Sequence, residues 1–388
     1  MFKKKKEFES VFLQTESFKE AMASGQYPLA EMSLGYRQDA IEKLKFYIKE
    51  KLQAKLNLAR ISAPHFIEAG RGLQDGLSGV EKAVGFDIPA AGKYVEVPHS
   101  LAKWKRDALS KYGYGPGEGI VVDGAYFRRE EPVLDNHHSV FVDQWDWELI
   151  MKAGERDQTY LRKIVSHIIE AIVEAQDELY KDYPQLRKGD EYAISEKVSF
   201  ITAQELEEMY PDLTPEQRET RYTIEHPTTF IQGIGEPLKD GKPHSKRAPD
   251  YDDHKLNGDL VVYNPMLEQA MELSSMGIRV DDHALLRQYE VLLETGNLEQ
   301  RGRLRKILDG IFTKAHTQRE RDLLQKILEQ EYHQKVLDGT YSQTIGGGIG
   351  QSRVAMQILG AAHIREVQVS EVSEQVEQEA EDAGLMFL

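Results

Sequence analysis

Four runs of β-branched and aromatic residues, at 120–127, 139–147, 229–234 and 260–263, lie in the middle of the chain. Their spacings are too irregular for a repeating strand–helix–strand unit, and each is bounded by Gly, Pro or Asn. Helical patterns flank them. Between residues 157 and 180, Leu161, Ile164, Val165, Ile168, Ile169, Ile172 and Val173 recur three and four apart, which predicts a helix packed on a sheet or on another helix. Ile41, Leu44, Ile48 and Leu52 predict a second one over 36–56. Thr202 and Glu205 are spaced as a capping box after the β-rich run 198–201, so a strand there hands over to a short helix. The expected fold class is α+β: a mixed, largely antiparallel sheet flanked by helices.

Residues 31–365 read as a single catalytic domain with an arm at 1–30, and residues 281–338 read as a helical surface insertion. From 366 the chain is an acidic tail. The formal net charge of −16 argues against a nucleic-acid partner, because polyphosphate binding relies on clustered Lys and Arg. No stretch resembles a targeting or spanning segment, so a cytoplasmic protein with no membrane partner is expected. The chain contains no cysteine, which excludes thiolate metal sites and a cysteine nucleophile from it.

Several segments have the residue types that chemistry needs. Along 139–147 the side chains alternate, so Gln144, Asp146 and Glu148 share one face with Val140 and Val142, while Trp145 and Trp147 share the other. Polar groups on a central strand mark either a strand end in solvent or a pocket floor. Arg128 and Arg129 stand beside Glu130 and Glu131 at the end of a strand; a guanidinium suits a phosphate, and a carboxylate can address an adenine amine. Alone, such a group is more often a solvated pair. The run from Thr344 to Arg353 holds four glycines ahead of an apolar helical stretch, but has neither P-loop nor G-x-G-x-x-G spacing. Glycines there let a backbone approach a flat ligand, and Arg353 opens a helix. Asp259 and Glu272 are carboxylates suited to magnesium shared with phosphates. His137 and His138, if in a strand, point to opposite faces, which speaks against a shared metal.

Taken together, these segments resemble the ammonia-dependent asparagine synthetases over 36–280 and 343–364. The strings that carry the resemblance are Leu73-Gln74-Asp75 with the following 77–84, His99-Ser100-Leu101-Ala102-Lys103-Trp104-Lys105-Arg106, the run from His138 to Glu148, Arg247-Ala248-Pro249-Asp250-Tyr251-Asp252-Asp253, and the glycine run ending at Arg353. The resemblance implies a class II aminoacyl-tRNA synthetase-like core, with a helix and strand with Pro64 as the dimer-forming motif, Phe127-Arg128-Arg129-Glu130 as the second motif, and 348–353 as the third. It also implies a homodimer that joins L-aspartate, ATP and ammonia through β-aspartyl-AMP, with Mg²⁺. On that resemblance Asp75, Arg128 and Gln144 are the catalytic set. Asp75 and Asp146 meet the substrate ammonium; Ser100, Lys105 and Arg279 meet its carboxylates; Gln144, Asp252 and Ser275 complete the aspartate site. Arg128, Glu130, Glu131, Asp259, Glu272 and Arg353 bind ATP, with Asp259 and Glu272 carrying the metal. The 281–338 block is longer than the family pattern shows between its Arg279 and Gly346 segments, and the N-terminal arm is extra. Two competing readings remain: a tRNA-charging synthetase, which a tRNA-dependence test separates, and a synthetase-like regulator without turnover, which AMP formation rules out.

Overall fold

The computed structural model describes residues 8–78, 81–188, 192–295 and 326–388. In chain order the elements that build the site are α1 (Leu34–Leu56), β1 (Leu58–Arg60), α2 (Ala102–Tyr112), β2 (Gly119–Phe127), β3 (Phe141–Ile150), α3 (Gln158–Asp182), β4 (Ser199–Thr202), β5 (Thr228–Gln232), β6 (Asp252–Asn264), β7 (Gln269–Arg279), β8 (Thr344–Gly350) and α4 (Gln351–Leu359). The strands form one eight-stranded sheet in the order β1-β2-β3-β8-β7-β6-β5-β4. Only the outermost pairs, β1 with β2 and β5 with β4, are parallel; the six central strands run antiparallel. This is the mixed, mostly antiparallel α+β arrangement expected from the irregular strand spacing.

The expected alternation on β3 divides the molecule into two faces. Trp145 and Trp147 are fully buried in the main apolar core with Ile41, Leu44 and Ile48 of α1 and Ile164, Ile168 and Ile172 of α3. Asp157 caps α3 by accepting from Tyr160 N, at the residue where the sequence pattern placed its start. Each fully buried Ile or Leu of that face contributes about 1.5–3 kcal/mol relative to exposure, so the helical layer holds the sheet firmly and leaves the opposite face for polar groups. The capping box at Thr202 and Glu205 is formed as expected.

The structure differs from the sequence reading in three places. The glycine run, to which the sequence pattern gave no strand, is a central strand, β8, and its Gly347, Gly348 and Gly350 line the cleft. A Cβ at Gly347 would lie 2.6 Å from Ser275 O and 2.5 Å from Met276 Cβ on the paired strand. Gly347→Ala is therefore expected to cost about 1–3 kcal/mol through overpacking against backbone that cannot move aside, read as a lower denaturant midpoint; an unchanged midpoint contradicts the close approach. Secondly, Phe18, Tyr27 and Leu29 of the arm and Val376, Ala380 and Leu385 of the acidic tail are buried in the main core. The Tyr27 hydroxyl donates to Glu366 at 2.5 Å, which ties the arm to the start of the tail. Thirdly, of the 281–338 block, a helix at Asp282–Thr295 and another at Glu331–Leu337 are described, and Leu285, Tyr289, Tyr332 and Val336 form a second apolar cluster. Leu304, Ile307, Leu308, Ile311, Leu323 and Leu324 lie outside the described residues. Among the described residues no helix is long and apolar enough to cross a membrane.

Candidate active site

The polar face of β3 floors a cleft of about 410 Å³. Asp75, Ser100, Arg128, Glu130, Glu131, Gln144, Asp146, Asp252, Glu272, Ser275, Arg279 and Arg353 all line it. Of the residues to which the resemblance gave a substrate, ATP or metal role, Lys105 and Asp259 do not line it. Their surroundings explain why.

Lys105, on α2, lies fully buried beneath the floor. Its ammonium is paired with Asp146, donates to Trp147 O at 2.7 Å and to Gly347 O at 3.3 Å, and lies 3.6 Å from Glu148. Asp146 also accepts from Tyr126 Oη at 2.6 Å and from Leu101 N at 3.0 Å. Burial pushes the Tyr126 hydroxyl well up, and the Asp146 charge adds to it, so this phenol stays a donor. Lys105, Tyr126 and Leu101 N thus hold the Asp146 carboxylate in place from three sides.

Arg279, at the end of β7, makes the second buried ion network. Its Nε reaches both Glu148 oxygens at 3.0 and 3.1 Å, Nη2 reaches Oε2 at 2.7 Å, and Nη1 donates to Asp252 at 2.5 Å. Thr344 Oγ1 completes Glu148 at 2.7 Å. Burial alone would raise the Glu148 carboxyl; the charges of Arg279 and Lys105 overturn that and hold it below its ordinary value. Asp252 goes the other way: burial outweighs Arg279 and raises it. The missing Cβ of Gly346 makes room for this network, since one placed there would collide with the Glu148 carboxylate and Arg279 Nη2.

Asp75 is held at the cleft wall by Ser100 Oγ at 2.5 Å and by Leu77 N at 2.8 Å. Arg128, just past β2, is in a different state. Among the described residues no carboxylate pairs with its guanidinium, and its buried Nε has no partner. The amide of Gln144 lies on the same floor, against Gly348. Arg353, in the first turn of α4, donates to the backbone oxygens of His137 at 3.2 Å and Glu272 at 3.1 Å. α4 is itself anchored under the floor by Asp143, which accepts from Ser352 N at 3.0 Å and Oγ at 2.6 Å.

Glu272 and Ser275 are three residues apart, so simple alternation would send them to opposite faces. A register shift between Leu260 and Val261 puts an extra residue on β7, pairing Glu272 with Val261 and Ser275 with Asp259. Such bulges re-aim side chains beside functional sites. Asp259 is covered by Arg247, whose Nη2 donates to Oδ1 at 2.6 Å and Oδ2 at 2.7 Å. Burial pushes the Asp259 carboxyl up to about 7, with Arg247 pulling down and Glu272 pushing up. Arg247 and Tyr251 also line the cleft, and no local sequence signal marks either of them as a site residue.

The opposite-faces expectation for His137 and His138 is corrected. Both precede β3, in a turn where strand alternation does not apply. Their rings lie 4.0 Å apart, and both Nδ1 atoms approach Asp135 Oδ1, at 3.3 and 2.9 Å. That same oxygen accepts the backbone amides of both histidines, which folds the turn. Burial, with His138 alongside, lowers the His137 imidazole and keeps it neutral.

A mixed, mostly antiparallel sheet backed by helices is the fold this chain shares with class II aminoacyl-tRNA synthetase catalytic domains. An asparaginyl-tRNA synthetase from Entamoeba histolytica in complex with asparaginyl-adenylate superposes with a TM-score of 0.57 at 12% identity, covering 92% of this chain and 71% of that one. The enzyme of the same name from Pyrococcus horikoshii, also complexed with asparaginyl-adenylate, gives 0.52 at 13%, covering 87% and 70%. Those likenesses concern the fold. Sequence is more specific: the family described as aspartate-ammonia ligase matches residues 36–315 and 312–384. An aspartate–ammonia ligase of Ruminiclostridium cellulolyticum is 44% identical over 350 residues, 90% of this chain and 94% of its own length. Another from Lactobacillus johnsonii is 44% identical over 333 residues, 85% and 89%. The chain belongs to the aspartate–ammonia ligase family, enzymes that make asparagine from aspartate, ATP and ammonia. The family match runs through the whole of the block at 281–338 and into the tail, beyond the segments that carried the resemblance, and leaves the arm at 1–30 outside.

Proposed function

We propose that the cleft activates the β-carboxylate of L-aspartate by adenylation and passes the acyl group to ammonia. A carboxylate repels nucleophiles and has no leaving group, and transfer to AMP removes both obstacles. A β-carboxylate oxygen bonds to the α-phosphorus of ATP as the bond to pyrophosphate breaks. Neutral ammonia then bonds to the β-carbonyl carbon, the bond to AMP breaks, and the amide nitrogen sheds its extra proton. Positioning and charge stabilisation supply most of the rate in such transfers.

The observation that carries this reading is the unpaired Arg128 guanidinium, a cation with no protein anion among the described residues, in the same cleft as Gln144 and Asp75. Arg128 is assigned to the α-phosphate, where negative charge grows in the transition state. Gln144 is assigned to the reacting carboxyl. Asp75 receives the α-ammonium, while Ser100, Ser275 and Arg279, the last steered by Asp252, serve the carboxylates. Lys105 and Asp146 act from the floor, the lysine neutralising the aspartate that shapes the pocket. Glu130 and Glu131 face the adenine, and Arg353 the outer phosphates. Asp259 and Glu272 are carboxylates on paired strands, a donor set of the kind Mg²⁺ takes when it shares its remaining positions with phosphate oxygens and water. Bound there, Mg²⁺ would neutralise phosphate charge.

The working unit is assigned as a cytoplasmic homodimer of one catalytic domain per chain, assembled through α1 and the strand that follows; exposed Tyr36 and Phe46 lie on that helix. Light scattering at twice the chain mass supports this, and a monomer contradicts it. The chemistry is tested by incubating the protein with aspartate, ATP, Mg²⁺ and either ammonium or glutamine. The expected result is asparagine with equal AMP from ammonium alone, rising with pH in proportion to the neutral ammonia fraction; ADP in place of AMP overturns the adenylation.

A further inference from the structure

The Arg247–Asp259 pair is not needed by the reaction as described, yet it occupies one of the two carboxylates assigned to the metal. One guanidinium nitrogen bonds both carboxylate oxygens, and the two side chains are 15% and 7% exposed. Arg247 sits in the stretch between β5 and β6, on the cleft wall, and Tyr251 from the same stretch also contacts it. Its buried Nε has no partner. Asp259 therefore lies behind an arginine, while Glu272 faces the cleft directly.

The geometry points to Arg247 as a gate on the cation site: in the nucleotide-free enzyme its guanidinium holds Asp259, and only a cation arriving with a triphosphate displaces it. The inference rests on the assignment of Asp259 and Glu272 to the metal. A buried guanidinium or carboxylate is costly to strand without a counter-charge. A divalent cation alone would take Asp259 and strand Arg247. The nucleotide alone would draw Arg247 and strand Asp259. The two together satisfy both, the cation replacing the guanidinium on Asp259 and phosphate oxygens replacing Asp259 on the guanidinium. Cation and nucleotide thus bind cooperatively on the protein, beyond their association in solution.

The test follows Mn²⁺ as the probe, by its electron paramagnetic resonance signal, with the full-length protein and no turnover. The wild type is expected to bind Mn²⁺ weakly alone and tightly with a non-hydrolysable ATP analogue. Arg247→Met is expected to bind Mn²⁺ alone about tenfold more tightly than the wild type, within the usual range for site coupling, and adding Asp259→Asn is expected to remove that gain. Arg247→Lys, which keeps a positive charge on a shorter side chain without the planar guanidinium, falls between and serves if the methionine variant does not fold. Equal Mn²⁺ affinity in the wild type and the Arg247 variants overturns the gate. Tight Mn²⁺ binding with the analogue that survives Asp259→Asn instead overturns the metal assignment itself.

Discussion

Replacing Arg128 by alanine is expected to lower kcat by about 10²-fold or more while leaving the KM for aspartate little changed. The size follows from where charge develops. As the β-carboxylate attacks the α-phosphorus, the oxygens of that phosphate carry more negative charge than in bound ATP, and a preformed cation gains most at that moment. The fold should not suffer, because Arg128 pairs with no carboxylate among the described residues and its removal strands no buried charge. Arg128→Lys keeps the charge but loses the planar fork, so only part of the rate should return. A steady-state comparison together with a denaturant midpoint checks both halves. A variant with the parental kcat contradicts the assignment of Arg128 to the α-phosphate.

Glu148→Ala is expected to be the most damaging change to stability, about 3–5 kcal/mol. Glu148 is fully buried and accepts from Arg279 and Thr344, with Lys105 at 3.6 Å. Removing it leaves Asp252 as the one carboxylate on the guanidinium and Asp146 as the one carboxylate on the ammonium, both cations being buried. Glu148→Gln keeps the volume and should lose less. The charge also sets a pH dependence. The folded carboxyl is held below its ordinary value, so its contribution is fully present above the unfolded value of about 4.3 and is lost as pH falls through the lower folded one. The wild type should therefore lose stability between these limits more steeply than Glu148→Gln, as followed by urea midpoints from neutral to acidic pH. Equal slopes would mean that the Glu148 charge is not held by Arg279 and Lys105.

The helices and the site floor were legible because their signals are local. The 3.6-residue pattern of α3 and the alternation of β3 each repeat over several turns or pleats, and both place large apolar residues opposite polar ones. β8 was not legible as a strand, because glycine weakens β propensity; what makes it one is the pairing of β3 and β7 on either side. β6 begins eight residues before its apolar run at Leu260, since Asp252, Asp253, His254 and Asn257 are polar residues buried in or beside the cleft. The arm and the tail carry only scattered anchors such as Phe18 and Val376, too few for a periodic signal.

At the site, residue identity was readable and partnership was not. Lys105, Asp146 and Arg279 were all singled out, yet the pairs Lys105 with Asp146 and Arg279 with Glu148 join segments 41 and 131 residues apart. No spacing rule reaches that far. Arg247 shows the same limit at short range: twelve residues from Asp259, it meets that carboxylate only because the stretch before β6 doubles back over the strand.

The most direct test of the central claim is the fate of oxygen. With aspartate labelled by oxygen-18 in its β-carboxylate, turnover with ATP and ammonium should place one labelled oxygen in the phosphate of AMP and none in pyrophosphate, because the carboxylate oxygen bonded to the α-phosphorus leaves with it. AMP without the label would show that the carboxylate never bonds to the α-phosphorus, and would contradict the adenylate route.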